Sequence, residues 1–189
     1  LDVVGSTDLS RRLDPEDLHR IVDGTLERCA SVIVQHGGKV LNFAGDSMLA
    51  VFGAAESRDD DAQRCVIAGL KLLEIGSSVQ KEVCTEFGFA EFNVRVGAHS
   101  GSVLLGGGVD AERNIRGFHV NYAARMEQTA PVGGLRVSAA TCRLIQDDFE
   151  VSPQNPIVVK GVEKPQDTYL VVRHKPKAFG ATRNGTDGL

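Results

Sequence analysis

Leu18, Ile21, Val22, Leu26, Cys29 and Ile33 recur three or four residues apart between positions 14 and 36, the period of a long amphipathic helix. Asp14-Pro15-Glu16-Asp17 opens it with an N-cap, a proline at the first helical position and acids in the first turn, and Gly37-Gly38 closes it. The period then changes. Val40 to Ala44 and Ser47 to Phe52 are two short apolar runs separated by Gly45-Asp46, the spacing of a β-hairpin with a tight turn. A second helical face, Ala62, Cys65, Val66, Leu70 and Leu73, follows Asp59-Asp60-Asp61, and Gly76-Ser77-Ser78 interrupts its continuation toward Glu86. Three acids in the first turn of a helix suit its dipole and solvent, so no metal cluster is read there.

Phe92 to Ala98 alternates as a strand, with Arg95 among its polar positions, and Val103 to Leu105 makes a second short one. Gly106-Gly107-Gly108 lacks the Lys-Ser/Thr of a P-loop and reads as an exposed hairpin tip. Phe118 to Ala130 is a third helix, closed by Pro131 and Gly133-Gly134, on which Asn121 and Arg125 share a face. That pair equally fits a solvated stripe. Leu135 to Val137, a short helix near Ala139 to Asp147, and strand-like runs at Ile157 to Val159 and Thr168 to Val172 complete the pattern. Strands, hairpins and helices in this order predict an α+β fold: a mixed, mostly antiparallel sheet with helices packed on it over residues 1–172. Residues 173–189 are polar, Gly-rich and aperiodic, a flexible tail or linker.

With 189 residues and 42% hydrophobic positions the chain can bury one full core. A net charge of −4 argues against a nucleic-acid surface or an anionic-membrane patch, and no apolar run approaches a membrane span. Cys29, Cys65, Cys84 and Cys142 form no C-x-x-C pair and fit buried cytoplasmic thiols. The start at Leu1, without Met and inside a strand-like run, leads us to expect a piece of a longer chain with further domains, sensory or ATPase-like.

Two carboxylates carry the candidate chemistry. Asp46 tips the hairpin, where it is first of all a turn former, and Asp2 ends an apolar entry just before Gly5-Ser6-Thr7. Aspartates at two strand ends can converge on one or two hard cations that also hold substrate phosphates.

DVVGST at 2–7, LDPEDL at 13–18, GGKVLNFAGDSMLAVFG at 37–53, DDDAQR at 59–64, RVGAHSG at 95–101, VNYAAR at 120–125 and VKGVEKP at 159–165 resemble, in order, the motifs of the class III adenylate/guanylate cyclase catalytic domain of bacterial type. The resemblance implies a ferredoxin-like cyclase fold and a head-to-tail homodimer with sites across its interface. It further implies conversion of ATP, with GTP possible, to a cyclic 3′,5′-nucleotide and pyrophosphate in intracellular signal transduction. Asp2, the Val3 carbonyl and Asp46 would hold two Mg²⁺ or Mn²⁺. Asn121 and Arg125 from the partner chain would hold the ribose ring oxygen and the developing phosphoryl charge. Lys160 would contact the β- or γ-phosphate, or else is a solvated strand-end lysine. Three positions depart from the pattern: Asn42 stands for the base-reading Lys of adenylyl cyclases, Asn114 for the Asp, Thr or Cys at the second base position, and Phe118 for a common Asp. Two further readings therefore stand beside the adenylate cyclase: a guanylate cyclase, and a weak or inactive regulatory domain that binds nucleotide or a partner. A phosphohydrolase has neither a His cluster nor a nucleophile motif behind it.

Overall fold

A computed structural model describes residues 1–105 and 115–176. Its elements in chain order are β1 (Asp2–Val4), α1 (Ser6–Leu9), α2 (Pro15–Gln35), β2 (Gly38–Ala44), β3 (Ser47–Phe52), α3 (Asp61–Phe87), β4 (Asn93–Ala98), β5 (Leu104–Leu105), β6 (Ile115–Arg116), α4 (Phe118–Thr129), β7 (Leu135–Ser138), α5 (Ala139–Ile145), β8 (Phe149–Ile157) and β9 (Gln166–His174). One sheet of seven strands runs β2-β3-β1-β4-β7-β9-β8, and β5 and β6 form a separate ribbon. The segment from β1 to β4 is a ferredoxin-like βαββαβ unit, antiparallel throughout. β7 joins it parallel to β4, and β9 and β8 extend it antiparallel. The expected mixed, mostly antiparallel sheet is therefore what the chain forms.

Local chemistry explains the elements nearest the site. The Asp14 carboxylate accepts the Asp17 backbone N–H at 2.9 Å and starts α2. Ala44 pairs with Ser47 around the two-residue turn, and Gly45 takes the left-handed φ of 62° that such a turn requires. Along β4, Val94, Val96 and Ala98 enter the main core beneath α2 and α3. Arg95 and Gly97, the alternate positions, face the other side of the sheet.

The helix after the hairpin, α3, corrects the sequence reading. α3 runs unbroken through Gly76-Ser77-Ser78 for 27 residues. Gly69 and Gly76 are buried on its sheet-facing side, where a Cβ would lie 2.9 Å from Leu135 Cδ2 and 2.6 Å from Val94 Cγ2. They mark close packing, not a break. Its buried residues are Ala62, Val66, Ala68, Gly69, Leu72, Gly76, Val79 and Val83, and the expected Cys65, Leu70 and Leu73 are half-buried against the same core. The expected strand at Ile157 to Val159 is also displaced. The strand is β8, ending at Ile157, and Val159 lies past it, buried with Tyr122 and Met126 in a second small cluster. β9 runs on to His174, beyond the boundary expected at residue 172. The Gly106-Gly107-Gly108 loop, Asn114 and residues 177–189 lie outside the described residues.

α4 rests backbone-to-backbone on β4. A Cβ at Gly97 would overlap the Glu127 amide nitrogen and lie 2.6 Å from the Met126 carbonyl carbon. Gly97→Ala must therefore lift the helix, and is expected to destabilise by about 1–3 kcal/mol, the usual cost of overpacking. Gly24 is helical, and a methyl group added there would meet nothing within 4 Å, so Gly24→Ala is expected to stabilise by about 0.5–1 kcal/mol. Urea denaturation midpoints at constant m-value read both changes.

Candidate active site

Asp2 sits in a row that crosses three strands, opposite Ser47 of β3 on one side and Arg95 of β4 on the other. Because Val3 enters the core, Asp2 points to the opposite face, the one α4 partly covers. The Ser47 hydroxyl donates to Asp2 Oδ1 at 2.8 Å. Arg95 donates to Oδ2 from Nε at 3.0 Å, and its Nη2 lies 2.8 Å from the same oxygen.

The hairpin turn brings the second carboxylate to the same sheet edge, since Asp46 immediately precedes Ser47. Ser6 Oγ donates to Asp46 Oδ2, and the Val3 N–H donates to the Asp46 carbonyl at 3.0 Å. A strand residue points its N–H and C=O the same way, so the Val3 carbonyl also faces the hairpin tip. Asp2, Val3 and Asp46 thus present hard oxygen donors side by side. Among the described residues no group of three or more His, Cys, Asp or Glu offers a competing metal cluster.

α4 divides its chemistry between two faces. Glu127 turns inward, its Oε1 2.7 Å from Arg95 Nε. Burial, then repulsion from Asp2, pushes the Glu127 carboxyl upward, against the pull of Arg95. Asn121 and Arg125 lie on the outer face; Arg125 is roughly 160° around the helix from Glu127 at 3.6 residues per turn. Asn121 is exposed, and Arg125 Nε donates to the Val158 carbonyl at 3.0 Å. That bond and the burial of Val159 against Tyr122 and Met126 tie the loop after β8 to α4, so the exposed Lys160 flanks the Asn121–Arg125 face. Asn42 is exposed on β2, paired with Leu49 just past a bulge. The structure therefore gathers Asp2, Val3 and Asp46 in one place and Asn121, Arg125 and Lys160 in another. No contact joins the two groups among the described residues.

The sequence alone does not single out Arg95, Glu127, Ser47 or Ser6. Arg95 is visible there only as a polar position on a strand, and Glu127 as the acid that interrupts the apolar spacing of the third helix.

A second polar cluster anchors the start of α4. His99 Nε2 lies 2.8 Å from His119 Nδ1, and His99 Nδ1 lies 2.7 Å from Ser138 Oγ. The His99 ring stacks on Tyr122 at 4.1 Å. Burial, with His119 adding, pushes the His99 imidazole down to about 4. Beside it a cavity of about 660 Å³ opens between Leu49–Phe52 of β3 and Val96–Ala98 of β4. None of Asp2, Asp46, Asn121, Arg125 and Lys160 lines that cavity, and the charged groups, not the volume, define the candidate site. Burial also pushes the Cys29 and Cys65 thiols up to about 11, which keeps them protonated and inert.

The fold has counterparts among known proteins. The family described as the adenylate and guanylate cyclase catalytic domain matches residues 1–173, and the chain belongs to that family. An adenylate cyclase of Mycobacterium tuberculosis is 29% identical over 175 residues, which cover 91% of this chain and 38% of that protein. The chain thus spans under half the length of the curated relatives it matches first. The crystal structure of the adenylyl cyclase CyaB from P. aeruginosa superposes with a TM-score of 0.86 at 26% identity, covering 95% of this chain and 93% of that one. The guanylate cyclase domain of RhGC from Catenaria anguillulae, in complex with GTP, superposes with a TM-score of 0.76 at 27% identity, covering 92% and 93%. Members of the family generally use divalent metal ions. No helix of the described residues is long and apolar enough to cross a membrane.

The depressed His99 fixes the sign of one pH effect. Between the ordinary imidazole pKa of about 6.5 and the folded value of about 4 the unfolded chain binds more protons, so His99 stabilises the fold above that window and the gain is lost as pH falls through it. Discounted for partial solvent exposure, the loss from pH 7 to pH 5 is about 1 kcal/mol. Denaturant midpoints at the two pH values are expected to differ less in His99→Gln than in the wild type.

Proposed function

We propose that this chain is the catalytic domain of a purine nucleotide cyclase that works as a head-to-tail homodimer. It forms a cyclic 3′,5′-nucleotide and pyrophosphate, with ATP as the main substrate. One observation carries the reading: a single chain holds two sets of phosphate-handling groups that face apart. Asp2, Val3 and Asp46 point from the β1–β3 edge, while Asn121 and Arg125 point outward from α4. Both sets act on one substrate only when a second copy supplies the other half. Exposed apolar side chains flank both halves, with Phe43 53% exposed beside Asn42, Phe118 43% exposed at the start of α4 and Val158 63% exposed in the loop that Arg125 holds. A partner that covers them removes apolar surface from water.

The oxygen-only donor set of two carboxylates and a carbonyl fits Mg²⁺ or Mn²⁺ better than a softer metal. Such ions, two in our reading, would lower the pKa of the ribose 3′-hydroxyl and neutralise the triphosphate. The chain's residues then have distinct tasks. The 3′-oxygen attacks the α-phosphorus as its proton leaves, the bond from that phosphorus to the bridging oxygen breaks, and pyrophosphate departs. The planar Arg125 guanidinium suits the charge that grows on the α-phosphate, and Asn121 orients the ribose through its ring oxygen. Lys160 meets the β- or γ-phosphate as a mobile point charge.

The similarity to proteins named adenylate cyclase supports ATP. Guanylate cyclase is the second reading, since the GTP-bound domain is of comparable similarity and Asn42, with its donor and acceptor, can serve either purine edge. With Asn114, Asn42 would form the base-reading pair. The cyclase domain in this reading, expected over residues 1–172, extends to the end of β9 at His174, and the rest of the chain is a tail or linker to further domains.

The shared site is tested by complementation. Asp46→Ala and Arg125→Ala homodimers are each expected to lose about 100-fold or more in turnover, the scale for removal of a preorganised charge contact. Mixed at high protein concentration, the two should recover up to about a quarter of wild-type activity, because half of the randomly formed dimers carry one intact site. A mixture that stays dead while sedimentation shows heterodimers contradicts the cross-chain assignment.

A further inference from the structure

We propose that Arg95 is an internal counter-cation of the metal-binding carboxylate Asp2, displaced when a divalent ion binds, and that Glu127 is the positioning residue that receives it. The inference rests on the assignment of Asp2 and Asp46 as metal ligands.

The geometry sets one donor against two acceptors. Arg95 Nε lies 3.0 Å from Asp2 Oδ2 and 2.7 Å from Glu127 Oε1, yet Nε carries a single hydrogen. That hydrogen points at Asp2. Glu127 Oε1 is left buried without an aligned donor. A buried acceptor in that condition costs free energy, which a small turn of the guanidinium toward Glu127 recovers at the expense of Asp2. The two carboxylates therefore define two positions for Arg95.

Charge decides between them. Without a cation at Asp2, Arg95 is the positive partner of that carboxylate, donating from Nε with Nη2 at 2.8 Å. A divalent ion at Asp2 takes over this role and repels the guanidinium, and Glu127, at 15% side-chain exposure, offers it a shielded alternative. Arg95 thus holds Asp2 in place between metal cycles and competes with the metal for Oδ2.

Two accounts of Arg95 predict opposite results. If Arg95 only braces Asp2 for the metal, its removal weakens metal binding. If it competes, its removal tightens binding. Mn²⁺ alone, without nucleotide, is titrated into the full chain and free Mn²⁺ is read by electron paramagnetic resonance. In wild type and Asp46→Asn this establishes the site, because loss of Mn²⁺ binding in Asp46→Asn is required by the metal assignment and its absence overturns that assignment. Given that loss, Arg95→Gln is expected to bind Mn²⁺ about tenfold more tightly than wild type, and Glu127→Gln about tenfold more weakly because the guanidinium loses its alternative. Arg95→Lys, which keeps the charge, is expected to stay nearer wild type than Arg95→Gln. Unchanged or weaker binding in Arg95→Gln overturns the proposal and leaves the cyclase reading intact. Should Arg95→Gln not fold, Glu127→Gln decides: weaker binding supports the handover, and equal or tighter binding overturns it.

Discussion

At Gly97 there is no room for a Cβ, and the α4 backbone lies directly on β4. Most of the site follows from that contact. Laid this close to the sheet, α4 carries Glu127 down to Arg95, which in turn reaches Asp2 across the register of β1 and β4. The same placement leaves Asn121 exposed and turns Arg125 toward the outer face, because a helix that commits one stripe to a sheet presents the opposite stripe to solvent. The start of the helix is pinned independently by His119 on His99 and by Tyr122 stacked on the same ring. Helix and sheet therefore move as one body, with one set of polar groups between them and another facing out.

In the proposed function this division lets an acidic domain, of net charge −4, handle a triphosphate. Asp2 and Glu127 share one cation, Arg95, and Asp46 adds a third carboxylate on the adjoining turn, so the chain alone offers phosphate little attraction at this end of the sheet. Divalent ions reverse that sign in our reading. The cations suited to phosphate, Arg125 and Lys160, stand on the other face, from which, in the proposed dimer, a partner copy would present them to the metal ligands. Dimerisation in that arrangement would assemble opposite charges that a single chain keeps apart.

Local signals make much of this legible in the sequence. The Asp14 cap, the Gly45-Asp46 turn and the Asn121/Arg125 spacing each depend on residues within a few positions, and each forms as expected. β8 is hard to see because it carries Pro153 and Pro156, which an edge strand tolerates and a central one does not; it pairs only with β9. In α3, Gly76 looks like a break because Ser77 and Ser78 follow it, whereas its purpose is contact with Val94 of β4. α1 is too short to show a period. Arg95 and Glu127 take no role from local pattern, since their meaning comes from Asp2, more than ninety residues away. The motifs that carry the family resemblance identify the type of chemistry without revealing which groups hold it in place.

The central claim is that these two faces, brought together, close a purine nucleotide on itself. Incubation of the purified chain with Mn²⁺ and ATP, and separately GTP, followed by chromatography of the products, tests it most directly. The account predicts a cyclic 3′,5′-nucleotide and pyrophosphate in equal amounts, faster from ATP than from GTP. No cyclic product from either nucleotide, at a protein concentration where sedimentation shows dimer, would contradict it, and a nucleotide-dependent rise in melting temperature under the same conditions would mark the domain as a binding module instead.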